Sequence, residues 1–261
     1  MLKRLTAVFL ACIMIFSLSA ALADDLLSTV IQRGTLKIGT EGNWAPWTYF
    51  DENDTLVGFD VEIAQAVAQK LGVEADFETC PWESIFMGID STMYDTTANG
   101  VEITEDRAEK YDFTVPYAYL RTALIVRADN EDIKTFEDLN GKTTANSAGS
   151  TYALTAEGYG AETLVVSTLA QTLDLVMNGS ADATLNAELS FYDYMKEHPD
   201  APLKIVALSE EASEVAMPVR KGEENQSFLD ALNGAIQELR ADGTLKAISE
   251  KYFDADITAA E

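Results

Sequence analysis

Strand-like and helix-like stretches alternate along this chain in two sets, and the break between the sets constrains the fold most. Leu36-Lys37-Ile38-Gly39-Thr40 alternates with period two. Asp60 is placed to cap a helix whose Ile63, Ala64, Val67, Ala68 and Leu71 share one face, closed by Gly72, and Val73, Ala75 and Phe77 alternate again. This order is a β-α-β unit, which requires parallel pairing and a right-handed crossover. A helix from Ser84 to about Asp90 and a strand from Thr96 to Ala98 follow, and Val115-Pro116-Tyr117 ends the first set.

The second set begins at the strand Ala123 to Val126. It continues through a helix at Phe136 to Leu139, a strand ending at Asn146, a helix from Thr151, and the pairs Leu164 to Val166 with Leu169 to Asn178. Strands Asp182 to Leu185 and Leu203 to Val206 complete it. Only after Val215 to Val219 does a long amphipathic helix present Phe228, Leu229, Leu232, Ala235, Ile236 and Leu239 on one face, with a last helix at Leu245, Ile248 and Tyr252. No low-complexity tether separates the sets, so the expected fold class is α/β with two lobes and a discontinuous first lobe. The expected boundaries are 24–118 with 215–261 for the first lobe and 119–214 for the second. The chain is expected to cross near Ala118 to Leu120 and near Val215 to Met217.

Residues 1–23 read as a targeting segment to be removed: Lys3 and Arg4, an apolar run from Leu5 to Leu22, and Ala21-Leu22-Ala23 as the cleavage site. The Leu10-Ala11-Cys12 string is not expected to be a lipid anchor, because the apolar run continues well past Cys12. The full chain carries 18 Lys and Arg against 44 Asp and Glu, and losing Lys3 and Arg4 takes its net charge from −26 to −28. Nucleic acid is excluded as a partner on that balance. Of the two cysteines only Cys80 remains after the segment, so no internal disulfide is expected; the destination is extracytoplasmic, either a periplasm or a cell surface. With one histidine, His198 beside Pro199, and one cysteine, metal sites and Ser-His triads lack raw material.

Two stretches carry the binding chemistry. In Asn99-Gly100-Val101-Glu102-Ile103-Thr104-Glu105-Asp106-Arg107 a strand meets a glycine and Thr104 is placed to cap a short helix, so Arg107 stands at a strand-to-helix turn. Its guanidinium fork matches a carboxylate bidentately. The plainer alternative is a surface ion pair with a neighbouring acid. Glu41-Gly42-Asn43-Trp44-Ala45-Pro46-Trp47 is a loop with two indoles and a carboxylate.

Together, Leu36 to Tyr49, Leu56 to Ala64, Gly100 to Pro116 and Leu239 to Phe253 resemble the periplasmic amino-acid-binding proteins of ABC importers, solute-binding protein family 3. Within it the chain looks most like the histidine and lysine/arginine/ornithine binders. The resemblance implies a ligand held between two lobes that close by hinge bending. It places Arg107 on the ligand's α-carboxylate, with donors opposite from Ser147, Ser150 and Thr151 at a second-lobe helix N-terminus, where Gly149 allows close backbone approach. Trp44 and Trp82 match aromatic walls, and Glu41 stands where basic-ligand members carry an acid for the distal cation.

Two positions depart from the family. Ala187 replaces the aspartate that takes the α-amino group, and Glu102 replaces a serine or threonine. An added carboxylate on one lobe could stand in for the one lost on the other, with the Gly100 carbonyl and Asn186 as further partners and Glu188 as a weaker candidate. The expectation is a monomeric, non-enzymatic binder with no cofactor and no metal. It captures a polar or cationic amino acid and delivers it to an ABC permease in the membrane. Two alternatives share the fold: a cyclohexadienyl dehydratase-like enzyme using Glu102 or Glu188 as general acid, and an amino-acid sensor module.

Overall fold

The computed structural model describes residues 25–259. The expected targeting segment, 1–23, and Cys12 lie outside them. Among the described residues no helix is long and apolar enough to cross a membrane.

The first lobe opens with a helix not among the expected elements, Leu26–Arg33. Asp25 caps it by accepting from the Ser28 amide at 2.6 Å, and Leu26 and Val30 are buried. Thr35–Thr40 then forms the middle of a three-stranded parallel sheet, between Glu74–Thr79 and Thr96–Thr97. The crossover helix is Phe59–Leu71, closed by Gly72 at φ +75°. Asp60 does not cap it. The N-cap is Gly58, and Asp60 sits fully buried in the first turn, because its carboxylate is claimed by tertiary partners described below. The tryptophan-bearing loop is likewise more ordered than expected: Asn43–Trp44, Thr48–Phe50 and Leu56–Val57 pair as a small antiparallel sheet.

The second lobe is a five-stranded mixed sheet. Its strands run in the spatial order Glu162–Val165, Thr143–Asn146, Ala183–Ala187, Thr122–Arg127, Leu203–Leu208, the last two pairings antiparallel. Helices Thr151–Gly158, Leu169–Met177 and Glu188–Glu197 follow its strands, and exposed His198 lies at the C-terminal cap of the last. Ala123, Ile125 and Ala145 on the strands bury against Leu173 and Val176.

Paired antiparallel segments carry the chain between the lobes. Ala118–Leu120 lies against Ser213–Val215, and on the first-lobe side of this pair Tyr111–Phe113 lies against Pro218–Arg220. The long helix Gln226–Ala241 and the last helix Thr244–Phe253 then return to the first lobe. There Phe253 meets Phe59 and Trp47, with ring centroids 5.1 and 5.2 Å apart. Burying one such aromatic ring contributes roughly 2–3 kcal/mol, so the C-terminal segment is anchored to the lobe that the N-terminus began.

Candidate ligand-binding site

A cavity lies between the lobes. Glu41, Trp44, Trp82, Gly100 and Glu102 line it from the first lobe, and Ser147, Ser150, Thr151 and Asn186 line it from the second. Of the candidate binding residues, Arg107 is not in this wall but behind it, and the weaker candidate Glu188 does not line the cavity either.

The indole of Trp44 is fixed from two sides. It stacks on Trp47 at 5.2 Å and 8°, and its Nε1–H donates across the cleft to Asn186 Oδ1 at 3.0 Å. Gly100 is required beneath it. Its φ is +57°, and a Cβ there would come within 2.5 Å of Trp44 Cζ3. The Gly100 amide donates to Asp60, whose other carboxylate oxygen accepts from Tyr117 Oη at 2.7 Å. Burial pushes the Asp60 carboxyl up to about 7 against those two bonds.

Glu41 accepts from Asn99 Nδ2 at 2.7 Å, while Asn99 Oδ1 takes the Glu41 amide at 2.8 Å and the Thr40 hydroxyl at 3.1 Å. Burial pushes its carboxyl up to about 7, with the nearby Glu83 charge adding to the rise and the Asn99 bond opposing it. A carboxyl poised there can receive a ligand cation as an anion, or donate to a ligand carbonyl as an acid.

Arg107 is held by Thr104, which caps the short helix Glu105–Ala108 by accepting from the Arg107 amide at 3.2 Å. Its guanidinium lies 5.3 Å from the ring centroids of both Trp82 and Phe86. Nη1 donates to the Glu102 carbonyl at 2.9 Å, whereas Nη2 is enclosed with no partner. The surface ion pair with Glu105 or another neighbour is absent among the described residues. Burial draws the guanidinium pKa down, opposed by the charge of Glu102. A desolvated donor without an acceptor costs about 1–3 kcal/mol, which an incoming anion recovers.

Opposite, Ser150 is the N-cap of Thr151–Gly158. Its Oγ accepts from the Ala153 amide at 3.1 Å and donates to the Ser147 carbonyl at 2.8 Å. The Thr151 hydroxyl donates across the cleft to the Glu102 carboxylate. Gly149, just before it, is exposed, with no protein atom near its Cβ position and a φ of +68° that favours glycine. Ala187 is buried at the N-cap of the following helix and brings no charge to the cavity.

Sequence reasoning missed Asn43, Asn99, Asn146, Tyr152 and, from the next helix start, Ser167, Thr168, Leu169 and Thr172 as lining residues. Asn99 was signalled by its place before Gly100, and Thr168 by its role as N-cap of the helix from Leu169. Asn146 is the most telling of them: Nδ2 donates to the Leu185 carbonyl at 2.7 Å, and Oδ1 is buried without a partner. Nearby, outside the cavity wall, the half-buried Cys80 thiol lies 3.6 Å from Tyr94 Oη, and burial raises its pKa.

Two α/β lobes, joined by paired crossing strands and closing on a polar, aromatic-walled cavity, define a two-lobed solute-binding protein. The chain belongs to the bacterial extracellular solute-binding proteins, family 3, whose model matches residues 36–255. It is 37% identical to the L-cystine-binding protein TcyA of Bacillus subtilis over 235 residues, which cover 90% of this chain and 87% of that one. An ancestral arginine-binding protein bound to glutamine superimposes with a TM-score of 0.80 at 33% identity, covering 85% of this chain and 99% of that one. The L-cystine solute receptor of Neisseria gonorrhoeae, in its unliganded open conformation, is 38% identical with coverages of 89% and 99%, yet its TM-score is 0.59. Higher identity with poorer superposition is what a different angle between matching lobes produces, and the cross-cleft bonds above place this structure among closed arrangements. The family and these relatives are solute-binding proteins, so the dehydratase alternative is not favoured.

Proposed function

We propose that this extracytoplasmic solute-binding protein captures an α-amino acid with a polar or cationic side chain and passes it to the permease of an ABC importer. The enclosed, unpartnered Nη2 of Arg107 carries the reading, because it is a donor in want of an anion beside the cleft. In this reading the ligand's α-carboxylate reaches Arg107 and the N-terminus of Thr151–Gly158. Trp44 and Trp82 flank the side chain, and Glu41 with Asn99 receives its far end. The relatives named for cystine, arginine and glutamine support a ligand of this class. A cation or a distal ammonium suits Glu41 as an anion, and an amide suits it as an acid.

The lobes are 24–118 with 215–261 and 119–214, hinged at Ala118–Leu120 and Ser213–Val215. The protein works as a monomer. A thermal-shift panel of the natural amino acids and cystine tests the assignment, since a ligand that binds only the folded state raises its midpoint. A rise of several degrees for polar or cationic members is the expected result, and no response to any member would overturn it.

A further inference from the structure

We propose that Glu102 makes the cleft selective for zwitterions over simple carboxylates by exchanging partners. It holds the Thr151 hydroxyl until a ligand carboxylate takes that place, and then holds the ligand's ammonium. This rests on the amino-acid reading and adds the residue that sets its chemistry.

Four observations converge on Glu102. Its side chain is buried, with 5% of the residue exposed, and its carboxylate meets the hydroxyl of the first residue of Thr151–Gly158. Backbone amides and the helix dipole make that terminus a place for an anion, and here the anion is supplied by the protein. Its main chain is pinned, by a bridge to Val215 and by Arg107 Nη1 on its carbonyl, so only the carboxylate can move. A second cavity, of about 270 Å³, shares Glu102 and Thr151 with the first and is lined further by Thr104, Thr122, Phe136 and Ser209. Glu102 and Thr151 line both cavities, so the carboxylate has space to leave the hydroxyl and still face a ligand in the binding cavity.

Charge decides which ligand can force the exchange. The charged side chains lining the binding cavity are both acidic, Glu41 and Glu102, and Arg107 backs the wall beside Glu102. Counting only the groups around Glu102, with Glu41 left to the far end of the ligand, a ligand bearing only a carboxylate would put two anions, its own and Glu102, beside one guanidinium, out of water. A zwitterion's α-groups leave two anions and two cations there, each with a partner.

Calorimetry on the mature protein tests this with glutamine, arginine and cystine, each against its deaminated counterpart: glutaramate, guanidinovalerate and dithiodipropionate. The wild-type protein should prefer the amino acid by on the order of 100-fold or more, the scale set by leaving a buried charge unpaired. Glu102→Gln should cut that preference to about 10-fold or less, with the amino acid weaker and the deaminated acid tighter. Thr151→Val should weaken both and keep their ratio within about threefold, because the hydroxyl serves either carboxylate. A wild-type ratio in a Glu102→Gln protein that melts cooperatively would overturn the exchange. Glu102→Ser, read the same way, serves if Glu102→Gln does not fold. Failure of the wild-type protein to bind any of the three amino acids would overturn the amino-acid reading itself, before any variant is made.

Discussion

Trp44 and Asn186, 142 residues apart in the chain, are joined across the cleft by a hydrogen bond of 3.0 Å. The bond exists only with the lobes closed, so it belongs to the closed state and stabilises it. Removing the indole N–H while keeping an aromatic ring, in Trp44→Phe, should cost about 1 kcal/mol of closure and lower ligand affinity about five-fold. Small-angle scattering of this variant should show a larger radius of gyration than wild type at subsaturating ligand. An unchanged profile together with unchanged affinity would show that the bond does not contribute to closure.

Arg107→Lys keeps a positive charge but loses the planar fork and the stacking on Trp82 and Phe86. The variant should melt within a few degrees of wild type and lose on the order of 100-fold in affinity for the amino acid that the thermal-shift panel selects. Calorimetry returning wild-type affinity would remove Arg107 from the site.

Glu41 gives a pH signature. Its carboxyl is pushed up to about 7 by burial, and a ligand cation beside it would draw that value down, so binding a cationic amino acid should release a proton. Affinity for arginine should therefore rise with pH and level off above about 7, by up to about 10-fold per pH unit below it. Glu41→Gln should flatten the profile. Proton release measured in two buffers of different ionisation enthalpy checks the sign.

Asp60 gives the opposite test, on stability. Its folded value of about 7 stands above the unfolded carboxylate value, so the folded state binds more protons between the two, and stability should fall as pH rises through that window. The slope is at most about 1.4 kcal/mol per pH unit for this group. Asp60→Asn should reduce it, and urea unfolding at pH 5 and pH 8 measures both.

Gly100→Ala forces a side chain into a left-handed conformation and into Trp44 Cζ3. A cost of about 1–3 kcal/mol in stability is expected, along with weaker binding as the Trp44 ring is displaced. Wild-type affinity in this variant would show that the ring position is not set by Gly100.

The two-lobed plan was legible because each lobe repeats strand and helix periods, with clear stops such as Gly72 after Phe59–Leu71. Leu26–Arg33 escaped notice because it is short and follows directly on the apolar targeting segment, although Leu26, Leu27, Val30 and Ile31 share one face. Asp60 misled for a different reason: an acid at a helix start reads as a cap, and only the fold reveals that Gly100 and Tyr117 compete for it. At the site, residues that announce themselves by type, the tryptophans and the carboxylates, were found. Asn146 and Tyr152 were not, because an asparagine at a strand end and a tyrosine in a helix carry no local sign of which cavity they will face. The Glu102–Thr151 contact spans 49 positions and two lobes, so no local pattern encodes it.

The setting of Cys80 has a consequence for what the protein can safely carry. Thiolates, not thiols, attack disulfides, and this thiol is half-buried beside Tyr94 with its pKa raised. It is therefore a slow nucleophile outside the cell, where disulfides are abundant. A carrier armed with a reactive thiol near its cleft would be poisoned by a disulfide cargo through a mixed disulfide. Kept protonated and shielded, Cys80 would leave any disulfide that entered the cleft with its covalent bonds intact.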